Sequence, residues 1–167
     1  MRIILKELKK IISEVRSVSE ALQRLSTFPP VSGGSGDRVR SPLPICDDLD
    51  TIMSSLGLTH RQVGSTISRQ KTQLLRMTVE IASLMTMQNY VVPSVIEAAL
   101  NGHPPEGDPI AIKLPDGRLV VTDGNHRVVT AMLLRESSIM VGVFDLQAFA
   151  QETSLTASSP VPRGRGR

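Results

Sequence analysis

The sequence predicts a small α+β domain with a helical segment in front of it and a basic tail behind it. Three observations support this prediction. Residues 2–26 repeat apolar side chains at helical spacing, residues 109–122 form two short β-branched runs around a Pro-Asp-Gly turn, and residues 138–145 are again β-branched. The chain has 167 residues, which is the size of one domain with appendages.

The composition limits both the core and the ligands of this protein. Aromatic residues make up 2% of the chain, so we expect an aliphatic core and no surface that stacks several bases on aromatic rings. Cys46 is the one cysteine, which excludes a disulfide framework and a Cys-rich zinc site and favours a reducing compartment. The net charge is +3, and Arg163, Arg165 and Arg167 lie in the last five residues. We therefore expect a nearly neutral body with a cationic tail rather than a broadly basic nucleic-acid surface.

No segment of the sequence has the pattern of an export signal or a membrane span. The first eight residues are partly apolar, but Lys6 and Glu7 interrupt them, and Lys9 and Lys10 follow. Nowhere does the chain approach the roughly 18 apolar residues of a spanning helix. We therefore expect a cytoplasmic protein without a membrane partner.

Residues 1–27 are predicted to form an amphipathic helix. Their apolar side chains alternate in steps of four and three, which places them on one stripe of a helix. The stripe consists of Ile4, Leu8, Ile11, Val15, Val18, Leu22 and Leu25. Such a heptad seam serves either a short helical homodimer or docking of the helix onto its own domain, and the sequence leaves both open.

The two segments that flank the domain, which is expected at residues 46–150, are predicted to be irregular. Residues 28–45 hold four prolines and a Gly-Gly-Ser-Gly run, so we expect a flexible linker that lets the first helix swing relative to the domain. Residues 151–167 are rich in Ser, Thr and Pro and then alternate Arg with Gly, which is typical of a disordered tail.

Residues 47–102 are predicted to be mostly helical. Asp47 or Asp48 can cap a short helix that ends at Gly57, and Thr59 can cap the next one. A third short helix is predicted at residues 95–101, closed by the glycine that follows it. No tight turn leads to a DNA-reading partner helix, so we expect packing helices rather than a helix-turn-helix. The second helix is expected to be long, because apolar residues continue near helical spacing at Val63, Ile67, Leu74 or Leu75, Val79 and Leu84.

From residue 108 onward the pattern becomes that of strands. Residues 109–114 and 118–122 are two short segments with several β-branched side chains, and the Pro-Asp-Gly between them predicts a β-hairpin. A strongly apolar helix is predicted from Val128 to about Arg135, followed by a strand at residues 138–145. The helix therefore crosses from the hairpin to a third strand.

The chemistry of the sequence is concentrated in the box Asp-Gly-Asn-His-Arg at residues 123–127, where a strand gives way to a helix. Gly124 permits backbone angles that a side chain forbids, and Asn125 is a natural N-cap. The N-terminus of a helix binds anions such as phosphate through its unpaired N–H groups and its dipole. Arg127 is unusual at this positive end of a helix, which indicates that an anion or Asp123 balances its charge.

The polar residues of the box have candidate roles in phosphate chemistry. Asp123 can orient His126, pair with Arg127, or hold a metal ion that carries the phosphate. His126 can donate to an anion or act as a general acid or base near neutral pH. The alternative is structural: Asp123 and Arg127 form an i,i+4 pair and His126 is a surface residue. Spacing alone leaves both interpretations open.

The order of hairpin, Asp-Gly-Asn-His-Arg box, apolar helix and β-branched strand resembles the ParB/sulfiredoxin-like superfamily, and most of all the ParB-like proteins that carry an Asp-Gly-(Asn/His)-His-Arg box. The resemblance covers about residues 70–146 and includes the stretch at 86–92 and the helix that follows it. It implies a small α+β domain whose box lines a nucleotide-phosphate pocket.

The resemblance also implies a function. Members of this superfamily bind or hydrolyse ATP or CTP, phosphorylate small molecules or proteins, nick DNA, or handle plasmid and phage DNA. By this similarity Asp123, His126 and Arg127 are the expected catalytic residues, Gly124, Asn125 and Arg127 the expected phosphate-binding residues, and Asp123 the expected Mg²⁺ ligand. Asn125 stands where sulfiredoxins have their reactive cysteine, so sulfinic acid repair is not expected. Centromere clamping is not expected either, because the Glu-Arg-Arg box and the following helix-turn-helix of partition ParB proteins are missing from this sequence.

Three functional hypotheses follow. The first is an NTPase or nuclease that uses ATP or CTP with Mg²⁺, or DNA, as its substrate. The second is a non-catalytic nucleotide- or DNA-binding module whose Arg-Gly tail adds salt-sensitive affinity and whose first helix dimerises. The third is a regulator of a plasmid or phage partner that acts by protein contact. Residues outside the box that can complete a phosphate site are Glu97, Glu106, Asp108 and Lys113.

Overall fold

A computed structural model of the protein describes residues 2–31 and 37–158. These residues form a mixed α+β structure with six α-helices and two β-sheets. None of the described helices is both long and apolar enough to cross a membrane. The helices are α1 (Arg2–Ser26), α2 (Leu49–Ser55), α3 (His60–Gln70), α4 (Pro93–Leu100), α5 (Asn125–Leu133) and α6 (Leu146–Ser158). The strands are β1 (Val39–Arg40), β2 (Leu75–Glu80), β3 (Leu84–Thr86), β4 (Tyr90–Val91), β5 (Ile110–Lys113), β6 (Leu119–Asp123) and β7 (Ser138–Asp145).

The main sheet contains five strands in the order β2-β7-β5-β6-β3. Strands β5 and β6 are the predicted antiparallel hairpin, and Gly117 in its turn has a φ of +91°. Helix α5 carries the chain from β6 to β7, which lies parallel to β5 on the other side. Strand β3 pairs in parallel with the remaining edge of β6. The predicted α+β class, hairpin, apolar helix and last strand are therefore confirmed, although α5 begins three residues before Val128.

The sheet is covered on both faces. Neighbouring residues of β6 point to opposite sides, so Val121 packs with α1, α4 and α5, whereas Val120 packs with α2, α3 and α6. Both valines are completely buried. The core is largely aliphatic, as the composition predicts, with Phe144 packed against Phe149 at one end.

The C-terminal half of α1 belongs to this core. Ala21 and Leu25 are buried in the cluster that α4 and α5 form, and the Arg24 guanidinium donates to the carbonyl of Leu133 (Nη1–O 2.5 Å). The prediction that this helix swings freely is therefore wrong, because the last part of its apolar stripe is buried on its own domain. Docking accounts for that part of the stripe but leaves the first half of the helix exposed.

The predicted linker at residues 28–45 is partly regular. Strand β1 pairs antiparallel with β4, and Arg40 N–H donates to the carbonyl of Pro29 (2.8 Å). The guanidinium of Arg38 also lies 4.0 Å from the centre of the Tyr90 ring. The expectation of no regular structure is wrong here, because a two-residue strand uses few backbone donors and tolerates nearby prolines. Residues 32–36, with the Gly-Gly-Ser-Gly run, lie outside the described residues.

The long second helix predicted through Leu84 is wrong. Helix α3 ends at Gln70, and the chain enters β2, an edge strand antiparallel to β7. Residues 75–80 alternate apolar with polar side chains, which is the period of a strand and competes with the near-helical spacing. Pairing with β7 settles the competition in favour of the strand.

The starts of α2 and α3 differ in their capping. Thr59 caps α3 as predicted: its hydroxyl accepts from Gln62 N–H (3.2 Å) and its own N–H donates to Gln62 Oε1 (2.9 Å). Asp48 stands at the N-cap position of α2 without capping it. Its carboxylate accepts instead from both Nη atoms of Arg118 (3.0 and 2.7 Å), which lowers the pKa of Asp48 to about 2. This pair ties α2 to the hairpin turn, where Arg118 also contacts Asp116 (2.8 Å).

Part of the segment predicted to be a disordered tail is helical. Residues 151–158 are the end of α6, which disagrees with the prediction. The first turn of this helix is anchored, because Leu146 is fully buried and Asp145 accepts from the N–H of Ala148 (3.0 Å). Helix growth from an anchored turn is favourable, so the polar composition does not prevent it. Residues 159–167, which contain the three arginines, lie outside the described residues.

Candidate functional site

The box at residues 123–127 joins the end of β6 to the first turn of α5. Gly124 is the N-cap residue and has a left-handed backbone, with φ +88° and ψ 25°. A Cβ atom at this position would lie 2.8 Å from the Cα of Pro109 and 2.8 Å from Nη2 of Arg127. Glycine is therefore required both by the backbone conformation and by the lack of space.

Asn125 is not the N-cap that the sequence predicts. Its side chain is buried, and Oδ1 accepts a hydrogen bond from the hydroxyl of Thr86 (2.5 Å), which is completely buried on β3. The bond ties the first turn of α5 to the edge strand of the sheet. Within the described part of the chain, no side chain caps the start of α5.

His126 contacts the backbone rather than the cleft described below. Its Nε2 accepts from the N–H of Val92 (3.0 Å), just before α4, and its ring is half-buried. Burial lowers the pKa of His126, so the ring is neutral near pH 7. A nitrogen that accepts an N–H carries no proton of its own, so Nε2 serves here as a fixed acceptor.

The pKa shift of His126 predicts a pH dependence of stability. Below a pH of about 6.5 the unfolded chain takes up a proton that the folded ring resists, so the free energy of unfolding falls as the pH drops from 7 to 5. His126→Gln retains an acceptor for Val92 N–H but does not titrate, so we expect its free energy of unfolding to fall less than that of the wild type over this range. Urea unfolding at several pH values measures the difference. Equal pH profiles of the two proteins would contradict the prediction.

Arg127 clamps the loop that precedes β5. Its Nη1 donates to the carbonyl oxygens of Glu106 (2.8 Å) and Gly107, and its Nη2 lies 3.8 Å from Oδ2 of Asp123. The side chain is 13% exposed, and its buried Nε has no hydrogen-bond partner among the described residues. Carbonyl dipoles and Asp123 thus supply the negative balance that a cation needs at the N-terminus of a helix.

Asp123 is the box residue that faces open space. Its Oδ2 lies 3.3 Å from Nζ of Lys71, just after the end of α3, and both side chains are half-exposed. The pair borders a cleft of about 470 Å³ between α2, α3 and the hairpin, a volume typical of small-molecule sites. The apolar lining of this cleft consists of Leu49, Met53, Val63, Ile67, Met87, Ile110 and Ile112, and the other polar side chains that line it are His60, Ser68 and Thr122.

The remaining candidates lie away from this cleft. Glu97 is exposed on α4, Glu106 offers Arg127 its carbonyl, and the Asp108 carboxylate pairs with Arg76 (2.6 Å). Lys113 is exposed at the end of β5 that is farther from Asp123, because Asp123 pairs with Ile110 at the start of the strand. Among the residues that the structure describes, no group of three or more His, Cys, Asp or Glu side chains is placed to hold a metal ion.

Lys71 is the cleft residue that the sequence analysis missed. The predicted long helix contains it together with three arginines, so one more cation there carries no signal of its own. The alternation at residues 75–80 could have placed it between a helix and a strand, at an edge of the domain. Its contact with Asp123 spans 52 positions and has no local signature.

The chain matches no protein-family model and no curated protein. The resemblance of the box to ParB/sulfiredoxin-like proteins therefore stays an expectation from the sequence.

Proposed function

We propose that this protein binds a nucleoside triphosphate, such as ATP or CTP, in the cleft beside Lys71. The observation that carries the proposal is the Lys71–Asp123 pair at the border of a largely apolar cleft of about 470 Å³. Apolar walls suit the base and sugar of a nucleotide, while an ammonium group beside the start of a helix suits its phosphates. A DNA phosphate is the alternative ligand, but a largely apolar cleft of this volume fits a nucleotide better than a long charged backbone.

Asp123 is the residue that would hold Mg²⁺. This ion is commonly bound by one or two carboxylates together with the phosphates of the ligand, so a single half-exposed carboxylate is sufficient. The ion would neutralise phosphate charge beside Asp123 and free Lys71 to contact the phosphates. We therefore expect nucleotide affinity to rise when Mg²⁺ is added.

The geometry favours binding over turnover. His126 uses Nε2 to accept from the N–H of Val92, and Arg127 uses its guanidinium on two loop carbonyls. Neither residue lines the cleft. The catalytic roles expected for Asp123, His126 and Arg127 in ATP or CTP hydrolysis or DNA nicking stay predictions, and the binding module is the function that we infer.

A ParB/sulfiredoxin-like fold is part of this proposal. It is supported by the order of hairpin, box, α5 and β7, and by the left-handed glycine between strand and helix. The fold would place the ligand at the strand end where Asp123 lies. The plasmid- or phage-related role of ParB-like proteins is the corresponding proposal for the biological setting.

Calorimetric titration with ATP, CTP, GTP and a DNA oligonucleotide, each with and without Mg²⁺, tests the proposal. We expect one nucleotide to bind with a Kd below about 1 mM and to raise the Tm by mass action. Lys71→Met should weaken that binding about tenfold, because it removes the cation and retains the length of the side chain.

Lys113→Met is the matched control, since it removes an exposed lysine from the far end of β5 and should leave the affinity unchanged. If no nucleotide binds, or if both lysine variants bind equally well, the proposed site is wrong. If the wild type hydrolyses a nucleotide and a folded His126→Gln variant does not, the protein is an enzyme rather than a binding module. Tighter binding of the oligonucleotide than of any nucleotide would favour DNA.

A further inference from the structure

The N-terminal half of α1 presents an apolar stripe that no described part of the chain covers. Its members are between 52% and 69% exposed, and they extend over three turns of one helix face. Single exposed apolar residues are ordinary on a protein surface, but a continuous row of this length marks an interaction site. The exposed stripe consists of Ile4, Leu5, Leu8, Ile11, Ile12 and Val15.

We propose that the exposed stripe binds the exposed stripe of a second copy of the chain, with the two α1 helices parallel. The stripe is self-complementary in composition, because it contains β-branched and leucine side chains in the spacing of a two-stranded seam. A two-fold axis along the helices would bring identical residues of the two copies together.

The charges beside the stripe select this occupant and this direction. On the helical wheel, Glu7 and Glu14 follow one border of the stripe, whereas Lys9 and Arg16 follow the other, and all four are exposed. In a parallel pair each border meets the opposite border of the partner, so carboxylates face cations. In an antiparallel pair the acidic border meets the partner's acidic border and the basic border meets its basic border, so like charges face each other.

The fold prepares the helix for this pairing. Ala21 and Leu25 hold the second half of α1 on the domain, so the exposed half continues a helix that is already nucleated. Association therefore does not include the cost of starting a helix. The docked face lies about a quarter of a turn from the exposed stripe, so the two domains of a parallel pair lie on opposite sides of the helices.

A lipid surface is the other occupant that an amphipathic helix with several lysines can take. Helices that lie on membranes carry cations along both borders, where the anionic head groups are. One border of this stripe is acidic, with Glu7 and Glu14. The separation of charges into one acidic and one basic border therefore favours a second copy of the chain over a membrane.

Sedimentation equilibrium of the full chain tests the proposal. We expect a weak reversible dimer with a Kd of roughly 10–100 μM, since only about two heptads are in contact. The double variant Leu8→Glu/Ile11→Glu places four carboxylates in the seam and should raise the Kd more than about a hundredfold. Both side chains are about half exposed in the monomer, so its circular dichroism spectrum and Tm should not change.

Ser13→Glu/Ser17→Glu is the matched control, because it adds the same charges to the opposite, exposed face of α1 and should leave the Kd unchanged. A wild type that stays monomeric at 10 times the expected Kd, or a Leu8→Glu/Ile11→Glu variant that still dimerises, overturns the proposal. A monomer that binds vesicles of phosphatidylcholine and phosphatidylserine through the stripe also overturns it.

Charge exchange and cross-linking test the direction of the pair. Glu7→Lys/Glu14→Lys and Lys9→Glu/Arg16→Glu should each weaken the homodimer, and a mixture of the two variants should form the heterodimer. With Cys46→Ser as background, Leu8→Cys should form a disulfide between chains under a mild oxidant, because a parallel pair places position 8 beside itself. A dimer that does not cross-link at this position is not parallel.

Discussion

Gly124→Ala is expected to lower the free energy of unfolding by about 3 kcal/mol, which corresponds to a drop in Tm of roughly 10 °C. A φ of +88° costs a residue with a side chain about 1 kcal/mol. The new Cβ would lie 2.8 Å from the Cα of Pro109, and crowding against backbone adds about 2 kcal/mol because it is not relieved by a rotamer change. Urea unfolding followed by circular dichroism measures the loss.

Gly57→Ala separates the two contributions to this loss. Gly57 also has a positive φ, +70°, but a Cβ there would meet nothing within 4 Å. We therefore expect Gly57→Ala to cost only the backbone part, about 1 kcal/mol. If the two variants lose the same stability, the close packing of Pro109 and Arg127 over Gly124 is contradicted.

The residues of the box mainly connect the start of α5 to neighbouring strands and loops of the fold. Gly124 packs against Pro109, and Asn125 accepts a hydrogen bond from β3. His126 accepts a hydrogen bond from the backbone just before α4, and Arg127 donates to the loop before β5. Asp123 is left to face the cleft and Lys71. A motif with the residue types of a catalytic site can therefore also be what fixes the start of a buried helix.

The local pattern of the sequence predicts the hairpin, its glycine turn, α5 and β7, because each has a period or a turn residue of its own. The partners of the box could not be predicted in this way. Thr86 lies 39 positions before Asn125, and Val92 lies 34 positions before His126. Such contacts depend on how the sheet and α4 assemble, and no spacing within the box records them.

The failed predictions have a common physical cause. Strand β2 is stabilised by pairing with β7, and β1 by pairing with β4, so tertiary hydrogen bonds decide between conformations that the local sequence leaves close in energy. The last residues of α6 are likewise helical next to an anchored first turn. Composition alone describes these segments as they would behave without partners.

Asn125→Leu is expected to cost about 2 kcal/mol of stability. The substitution removes the oxygen that accepts from the Thr86 hydroxyl at 2.5 Å, in a place where both side chains are buried. Thr86→Val should cost about as much, because it leaves the Asn125 amide without its donor and also removes an acceptor for Gln88 N–H (3.0 Å). Thermal and urea unfolding of both variants give the two losses.

The double variant Asn125→Leu/Thr86→Val decides what this bond does. When both polar partners are replaced by apolar groups, neither is left unsatisfied, so the combined loss should fall short of the sum by about 1–2 kcal/mol. Thr78→Val, on the exposed strand β2, is the control and should change stability by less than about 0.5 kcal/mol. Simple additivity would mean that Asn125 does not tie α5 to β3. Its amide would then be free for the phosphate contact that the resemblance implies, and Asn125→Leu should weaken nucleotide binding as Lys71→Met does.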